Sequence, residues 1–320
     1  AVVMGFDYPV KDCDVEDKQA LEKFRSKRVE WVNWLDNDEY HAIWQVLSEM
    51  VWNEVAFETL VKIADSDQES ALNNTLIRDA VLNGHVALQV LAIRRLTDTT
   101  RNVISLSRLL QDIRKHRKLL TRENYVAFDG LPYEPASVED PYFPTLGSGP
   151  NWLATTGPHA FSSAQRAHER FDQLSGVRSN ERKREDCLPV RLLDTIEGWV
   201  ESCDAKGIAK WSHSYIAHAG SQTRREEIAG FSMQGHKVSI AIKGLARAAE
   251  GISAYILYSS GRMNALMPTP QLDQFEHLKN AVLSGKNEVD PHEVWNSLAF
   301  EYDGALGEVG EDLISSAGTS

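Results

Sequence analysis

Cysteine is scarce in this sequence, and its three copies are odd in number and form no CxxC motif. This usage argues against a disulfide framework and against a thiolate zinc site.

No stretch of about 18 apolar residues occurs, so no membrane association is expected. The nearest candidate, Val238 to Tyr258, carries several charged side chains. Residues Ala1 to Tyr8 lack a basic region followed by an apolar core, so they do not predict a signal peptide. We therefore predict a cytoplasmic protein.

Several motifs that hold phosphates, metals or nucleophiles are also missing. The sequence contains no GxGxxG or GxxxxGK(S/T) loop, no GxSxG elbow and no HExxH. Dinucleotide enzymes, P-loop NTPases, α/β-hydrolases and zincins are therefore disfavoured, and no cofactor is predicted. His168 and Asp172 have the i, i+4 spacing of a helical metal pair, but no third ligand accompanies them, so no metal site is predicted.

Positive charge is concentrated in one stretch of an otherwise acidic chain, the basic run Arg94–Arg122. The formal net charge of −12 should repel nucleic acid at long range, so binding would need a local basic patch. Two interpretations stay open for the basic stretch: a phosphate-binding stripe, or an ordinary solvated helix face with a basic last turn. Its predicted RNA-binding residues are Arg94, Arg101, Arg108, Arg114 and Arg117.

Apolar residues recur at intervals of three and four along most of the chain, which predicts helices and gives little support to strands. Between Gly130 and Pro158, prolines and glycines interrupt this pattern and predict a long loop. The fold class is therefore all-α, a helix bundle with a Pro/Gly-rich insertion loop. The predicted helical stretches are 31–65, Ser70–Arg95, Ile104–Ile113, Ser162–Leu174 with Ser162 as N-cap, Leu192–Val200 after Pro189, and Lys237–Tyr258.

These stretches divide the chain into three parts. Residues 1–30 are predicted to be an N-terminal extension, and residues 31–262 to be the helical domain, with the loop 129–160 inserted into it. Residues 263–320 form a C-terminal extension, whose acidic, glycine-rich tail from Glu301 is predicted to be loose.

The segment Lys210–Ala219 carries the candidate catalytic chemistry. On a helix, Trp211, Tyr215 and His218 share one face, which sets an imidazole beside two aromatic rings. Such an imidazole can act as a general acid or base, or it can be a hydrogen-bonded core histidine. His213 lies about 140° round the helix from His218, so the two do not form a same-face metal pair.

Together with these features, four segments resemble the HEPN superfamily, most closely the abortive-infection, U-type HEPN-like proteins of bacteria. Two of them, Leu91–Asp98 and Ile104–Leu110, are similar to the segments on that group's early helices. Ile216–Ala219 matches an Ile-Ala-His-Ala ending, and Lys237–Tyr258 matches the final amphipathic helix. The resemblance implies a HEPN-like bundle that forms a homodimer. It also implies metal-independent RNA cleavage in phage defence, by an Arg and a His from each chain.

His218 matches the family histidine, but the family arginine is absent. The position six residues before the histidine holds Ser212. Arg94, Arg95 or His213 would have to supply the missing charge, so the catalytic candidates are His218, His213 and Arg95. Two alternatives stay open. In one, the chain is an inactive HEPN-like module that dimerises and binds RNA, a cognate antitoxin or another partner protein; in the other, it is a helical protein unrelated to the family.

Overall fold

The computed structural model describes residues 5–134, 154–202, 204–212, 222, 235–259, 261–262, 265–267, 273–276, 278, 280 and 290–298. These residues are mostly helical and contain no β-strand, only an isolated bridge between Thr121 and Cys187. The all-α class is therefore confirmed. The main helices are α1 Lys18–Val32, α2 Ile43–Ser66, α3 Thr75–Thr97, α4 Leu106–Lys115, α5 Arg122–Ala127, α6 Phe161–Ser175, α7 Val190–Ser202, α8 Ala205–Ser212 and α9 Gly235–Glu250.

Short polar side chains begin several of these helices. Asp17, Asn74, Ser105 and Thr121 each accept a hydrogen bond from a backbone N–H in the first turn of α1, α3, α4 and α5. The prediction of Ser162 as the N-cap of α6 is wrong, because the helix already begins at Phe161.

Two separate helices stand where the sequence predicted one continuous helix over 31–65. Helix α1 ends at Val32, a π-helical turn covers Asn33–Asn37, and α2 begins only at Ile43. Between them the Asp38 carboxylate accepts the backbone N–H groups of Tyr40 and His41. A side chain that bonds the backbone locally competes with helix continuation, which apolar spacing alone does not report. In the same way, the last predicted helix leaves α geometry after Glu250, and a π-helical turn follows over Gly251–Ile256.

One core cluster joins α1 to the later helices. Leu21, Phe24 and Trp31 of α1 are at most 2% exposed and belong to the same cluster as the buried residues of α4 to α7 and α9. The predicted extension 1–30 therefore contributes to the core of the helical domain, because α1 buries one face there. The insertion loop lies mostly outside the described residues, at 135–153, as does the tail from Glu301.

The outer parts of α2 and α3 differ from this core. No residue of 51–88, here called the distal hairpin, is fully buried. Helix α3 is long and apolar enough to cross a membrane by length and composition, and it was not the helix that the sequence singled out, Val238–Tyr258. Core helices of soluble proteins meet the same criteria, so this property does not show membrane association. Only 17% of its most apolar window is buried, so much of its apolar surface faces outward.

Candidate functional site

Helix α8 leads into the predicted catalytic segment, and it packs against α3. Ala205, Ile208 and Ser212 are its buried residues, spaced three and four apart, so one face of α8 lies in the protein interior. Lys210 is exposed. The helix that precedes the candidate histidines thus lies beside the helix that carries the first part of the basic run.

The candidate histidines themselves, His213 and His218, lie outside the described residues. Their predicted role as acid and base stays a prediction. Ser212, the described residue directly before His213, is fully buried, and among the described residues its hydroxyl oxygen has no hydrogen-bond partner. Ser212 therefore occupies an interior position, suited to a small side chain.

Arg95, the third catalytic candidate, lies on the exposed side of α3. Its guanidinium donates to Nδ1 of His41 at 2.9 Å, which joins the end of α3 to the segment before α2. Arg94 lines a groove of about 420 Å³ between α2 and α3, together with Arg95 and Asp98. The pKa of Asp98 is lowered, first by hydrogen bonds from Thr100 and also by the charge of Arg94. Arg94 and Arg95 are thus brought together at the edge of this groove.

The remaining residues of the basic run have separate environments. Arg101 is exposed, whereas Arg108 stacks 4.8 Å from the ring centroid of Trp34 and donates to the Val103 carbonyl at 2.6 Å. Arg114 bridges two carboxylates of α7, Asp194 at 2.7 Å and Glu197 at 2.9 Å. Arg117 donates to the Leu188 carbonyl. The predicted phosphate contacts of these residues stay untested, but Arg114 already has anionic partners.

Arg122, at the end of the basic run, is fully buried and takes a structural role. Its side chain donates to Asp172 at 2.6 Å and to Asp186 at 3.0 Å, and it stacks on Phe171. Arg182 is a second partner of Asp172. Burial alone would raise the pKa of Asp172, but hydrogen bonds from Arg182 and Arg122 outweigh it and hold that pKa below its usual value. We call these residues the Arg122 cluster.

His168 also belongs to the buried interior. Its Nε2 donates to the Tyr133 carbonyl at 2.6 Å, at the start of the predicted insertion loop. Burial, together with the charges of Arg182 and Arg122, lowers its pKa. Asp172 is already paired with the two arginines, so the i, i+4 pair does not point to an ion. Among the described residues no group of three or more His, Cys, Asp or Glu side chains is placed to hold a metal ion.

The structure brings together one acid–base pair that sequence reasoning missed. Glu54 of α2 and His85 of α3 approach to 3.3 Å between Oε2 and Nε2, and both side chains are largely buried. The ring of Phe57 stacks on His85 with a centroid separation of 3.9 Å. Because the partners are far apart in sequence and on different helices, no spacing rule could have joined them. Their geometry links α2 to α3 within the distal hairpin.

The chain was compared with known protein families, curated proteins and solved structures. No protein-family model, curated protein or solved structure matches this chain.

Proposed function

We propose that this chain is a HEPN-like ribonuclease of bacterial phage defence, with His218 as acid and base and Arg95 as the phosphate-binding group. The observation that supports this proposal is the packing of α8 against α3. It sets the helix leading to His218 beside the helix that carries Arg95. An imidazole can move the 2′-hydroxyl proton of RNA, and a guanidinium can stabilise the charge that develops on the phosphate.

The proposal includes a homodimer, since the family resemblance implies that each active site is completed across two chains. Exposed leucines on α3 support it: Leu76 is 61% exposed and Leu88 is 58% exposed, with Leu82 and Leu91 on the same helix. Exposed apolar surface is a common feature of protein interfaces. The second chain is therefore proposed to pack on α3.

The test is cleavage of labelled single-stranded RNA in the presence of a chelator, since the resemblance implies a reaction without metal. We expect His218→Ala to slow cleavage by about 10²–10⁴-fold, the usual contribution of general acid–base catalysis. Arg95→Ala should slow it as well. Arg166→Ala, an exposed arginine on α6, is the matched control and should leave the rate unchanged. Equal rates for all variants, or no cleavage by the unmodified chain, would contradict the proposal.

A second candidate function is supported by the burial of Ser212. The position of the family arginine is an interior one here, which favours an inactive HEPN-like module that dimerises and binds RNA or a cognate partner protein. This alternative predicts RNA or partner binding without cleavage. It also predicts that His218→Ala mainly lowers the melting temperature and leaves the measured RNA affinity near that of the unmodified chain.

A further inference from the structure

A short helix late in the chain, residues 291–298, has a start that its own sequence determines. The Asp290 carboxylate accepts the backbone N–H of His292 at 2.8 Å and so caps the first turn. Pro291 occupies the first helical position, and Glu293 follows three residues after the cap. Both residue types are favoured at these positions of a helix. The helix therefore begins at a fixed point in the chain.

The apolar face of this helix is open to solvent. Val294 is 44% exposed, Trp295 is 62% exposed and Leu298 is 48% exposed. Their spacing of three and four residues places them on one side of the helix. A helix this short is marginal in water by itself, because most helical stability in proteins comes from packing of the apolar face. A defined start and an open apolar face together indicate a helix that packs on another surface.

An apolar groove lies between α2 and α3 in the distal hairpin. Its volume of about 220 Å³ is below the usual range for small-molecule sites, roughly 300–1,000 Å³, and suits one large side chain. Arg78 alone is charged among its described lining residues, whereas residues 290–298 contain acidic residues and neither Lys nor Arg. The groove and the helix therefore combine apolar surfaces with charges of opposite sign. The apolar walls include Phe57, Leu60, Val61, Leu72, Val81 and Leu82.

The chain is long enough to bring this helix to the groove of the same molecule. Leu266 lines a cavity together with Val51 and Val55 of α2, so the chain after α9 already lies beside the hairpin. Val61 of the groove is only about 9 Å further along α2 than Val55. The stretch of about 25 residues from Leu266 to Pro291 can span up to about 80 Å. A tethered helix also has a higher effective concentration at the groove than a second copy of the chain.

We propose that the helix 291–298 docks in the groove of the distal hairpin on its own chain, with Trp295 as the anchor. Aromatic and aliphatic anchors that enter an apolar groove are the usual means by which short amphipathic helices are recognised. The docked helix gives α2 and α3 a third helical neighbour. The inference is independent of the proposed nuclease, because it uses neither His218 nor Arg95. Of the four leucines assigned to the dimer, Leu82 alone lines the groove.

A photoreactive aromatic residue, benzoylphenylalanine, in place of Trp295 tests the contact in the full chain. After irradiation, mass spectrometry of the digested protein should find covalent links to residues 57–82. The linked product should have the size of one chain on a denaturing gel. The matched control carries the same probe in place of Asn296, which lies about 100° further round the helix and away from the apolar face. This control should give few links to the hairpin.

The other outcomes of this experiment overturn the proposal. Links from position 295 to other parts of the protein, or equal links from positions 295 and 296, show that the groove is not the docking site. A product with the size of two chains and links to residues 57–82 shows that a second copy supplies the helix.

Hydrogen exchange gives a second readout that needs no probe. Trp295→Ala should accelerate exchange of the backbone amides of residues 57–82 about tenfold, as expected when a buried aromatic anchor is lost. Asn296→Ala should leave these amides unchanged, and neither variant should alter the amides of α1. Hairpin amides that exchange at the same rate in Trp295→Ala and the unmodified chain, or exchange that accelerates throughout the protein, contradict docking in the groove.

Discussion

Two regions of the molecule are both helical and rich in apolar residues, yet they differ in burial. The first region contains α1, the start of α2 up to Met50, and α4 to α7, and the second is the distal hairpin. Leu21, Leu109 and Phe171 in the first region have no exposed surface. In the distal hairpin, Leu76 is 61% exposed and no residue is fully buried. Apolar character therefore does not distinguish the two regions. What distinguishes them is the number of helices that surround each one.

The two regions also differ in their buried polar contacts. The first region contains Arg28 as well as the Arg122 cluster, and burial lowers the pKa of Arg28 to about 10. These groups join segments that are distant in the sequence. The distal hairpin has the Glu54–His85 contact, which joins only α2 to α3. Regions with few buried apolar contacts open locally at lower free energy, so the hairpin is the part of the protein on which a partner would act most readily.

The largest expected effect comes from removing Arg122. Arg122→Ala leaves Asp172 and Asp186 without their shared cation in the interior, and we expect a loss of about 3–5 kcal/mol in the free energy of unfolding. The matched change in the distal hairpin is Arg78→Ala, whose contact with Asp79 is more than half exposed. That variant should stay within about 0.5 kcal/mol of the unmodified chain. Urea denaturation measures both, and equal losses would show that the two regions are equally stabilised.

A pair of leucine truncations tests the same comparison without charge. Leu47 of α2 is fully buried, and Leu47→Ala should cost about 2–5 kcal/mol by leaving a cavity. Leu88 of α3 is 58% exposed, and Leu88→Ala should cost about 0.5 kcal/mol or less in the isolated chain. Sedimentation of the second variant also tests the proposed dimer, because loss of an interface leucine should shift the population toward monomer. An unchanged sedimentation profile would argue against packing on α3.

These contrasts mark what the sequence could and could not predict. Apolar spacing predicted most helices, including α3 and α4, because the periodicity of a helix is local. It did not predict that Leu88 is exposed while Leu47 is buried, because that depends on which helices are neighbours. In the candidate site, the placement of Arg94 and Arg95 together followed from their adjacency. The Glu54–His85 contact and the burial of Ser212 depend on tertiary packing, for which the sequence carries no local signal.

Ser212, at the position where the proposed HEPN likeness would expect an arginine, permits a direct test of that proposal. Because its side chain is fully buried, Ser212→Arg should destabilise the fold by about 1–3 kcal/mol through overpacking, with a further cost for the buried charge. Ser212→Ala, which removes a hydroxyl without a partner among the described residues, should be close to neutral. Thermal melts give the comparison. An arginine variant that melts like the unmodified chain and gains RNA cleavage would show that this position can face an open site.

The smallest expected effect is the pH dependence that His168 gives to the first region. Its pKa in the folded chain lies below the ordinary value of 6.5, so the unfolded chain binds the proton more tightly. The free energy of unfolding is therefore unaffected by His168 above about pH 6.5. It falls as the pH drops below that value, by at most about 1.4 kcal/mol per pH unit. Asp172 acts only in stronger acid, because its lowered pKa stabilises the fold until the pH falls below its ordinary value of 3.8. His168→Gln keeps a donor for the Tyr133 carbonyl but cannot titrate, so its melting temperature should change less between about pH 7 and pH 5. Parallel profiles for the two proteins would show that the buried imidazole is not what makes this region sensitive to acid.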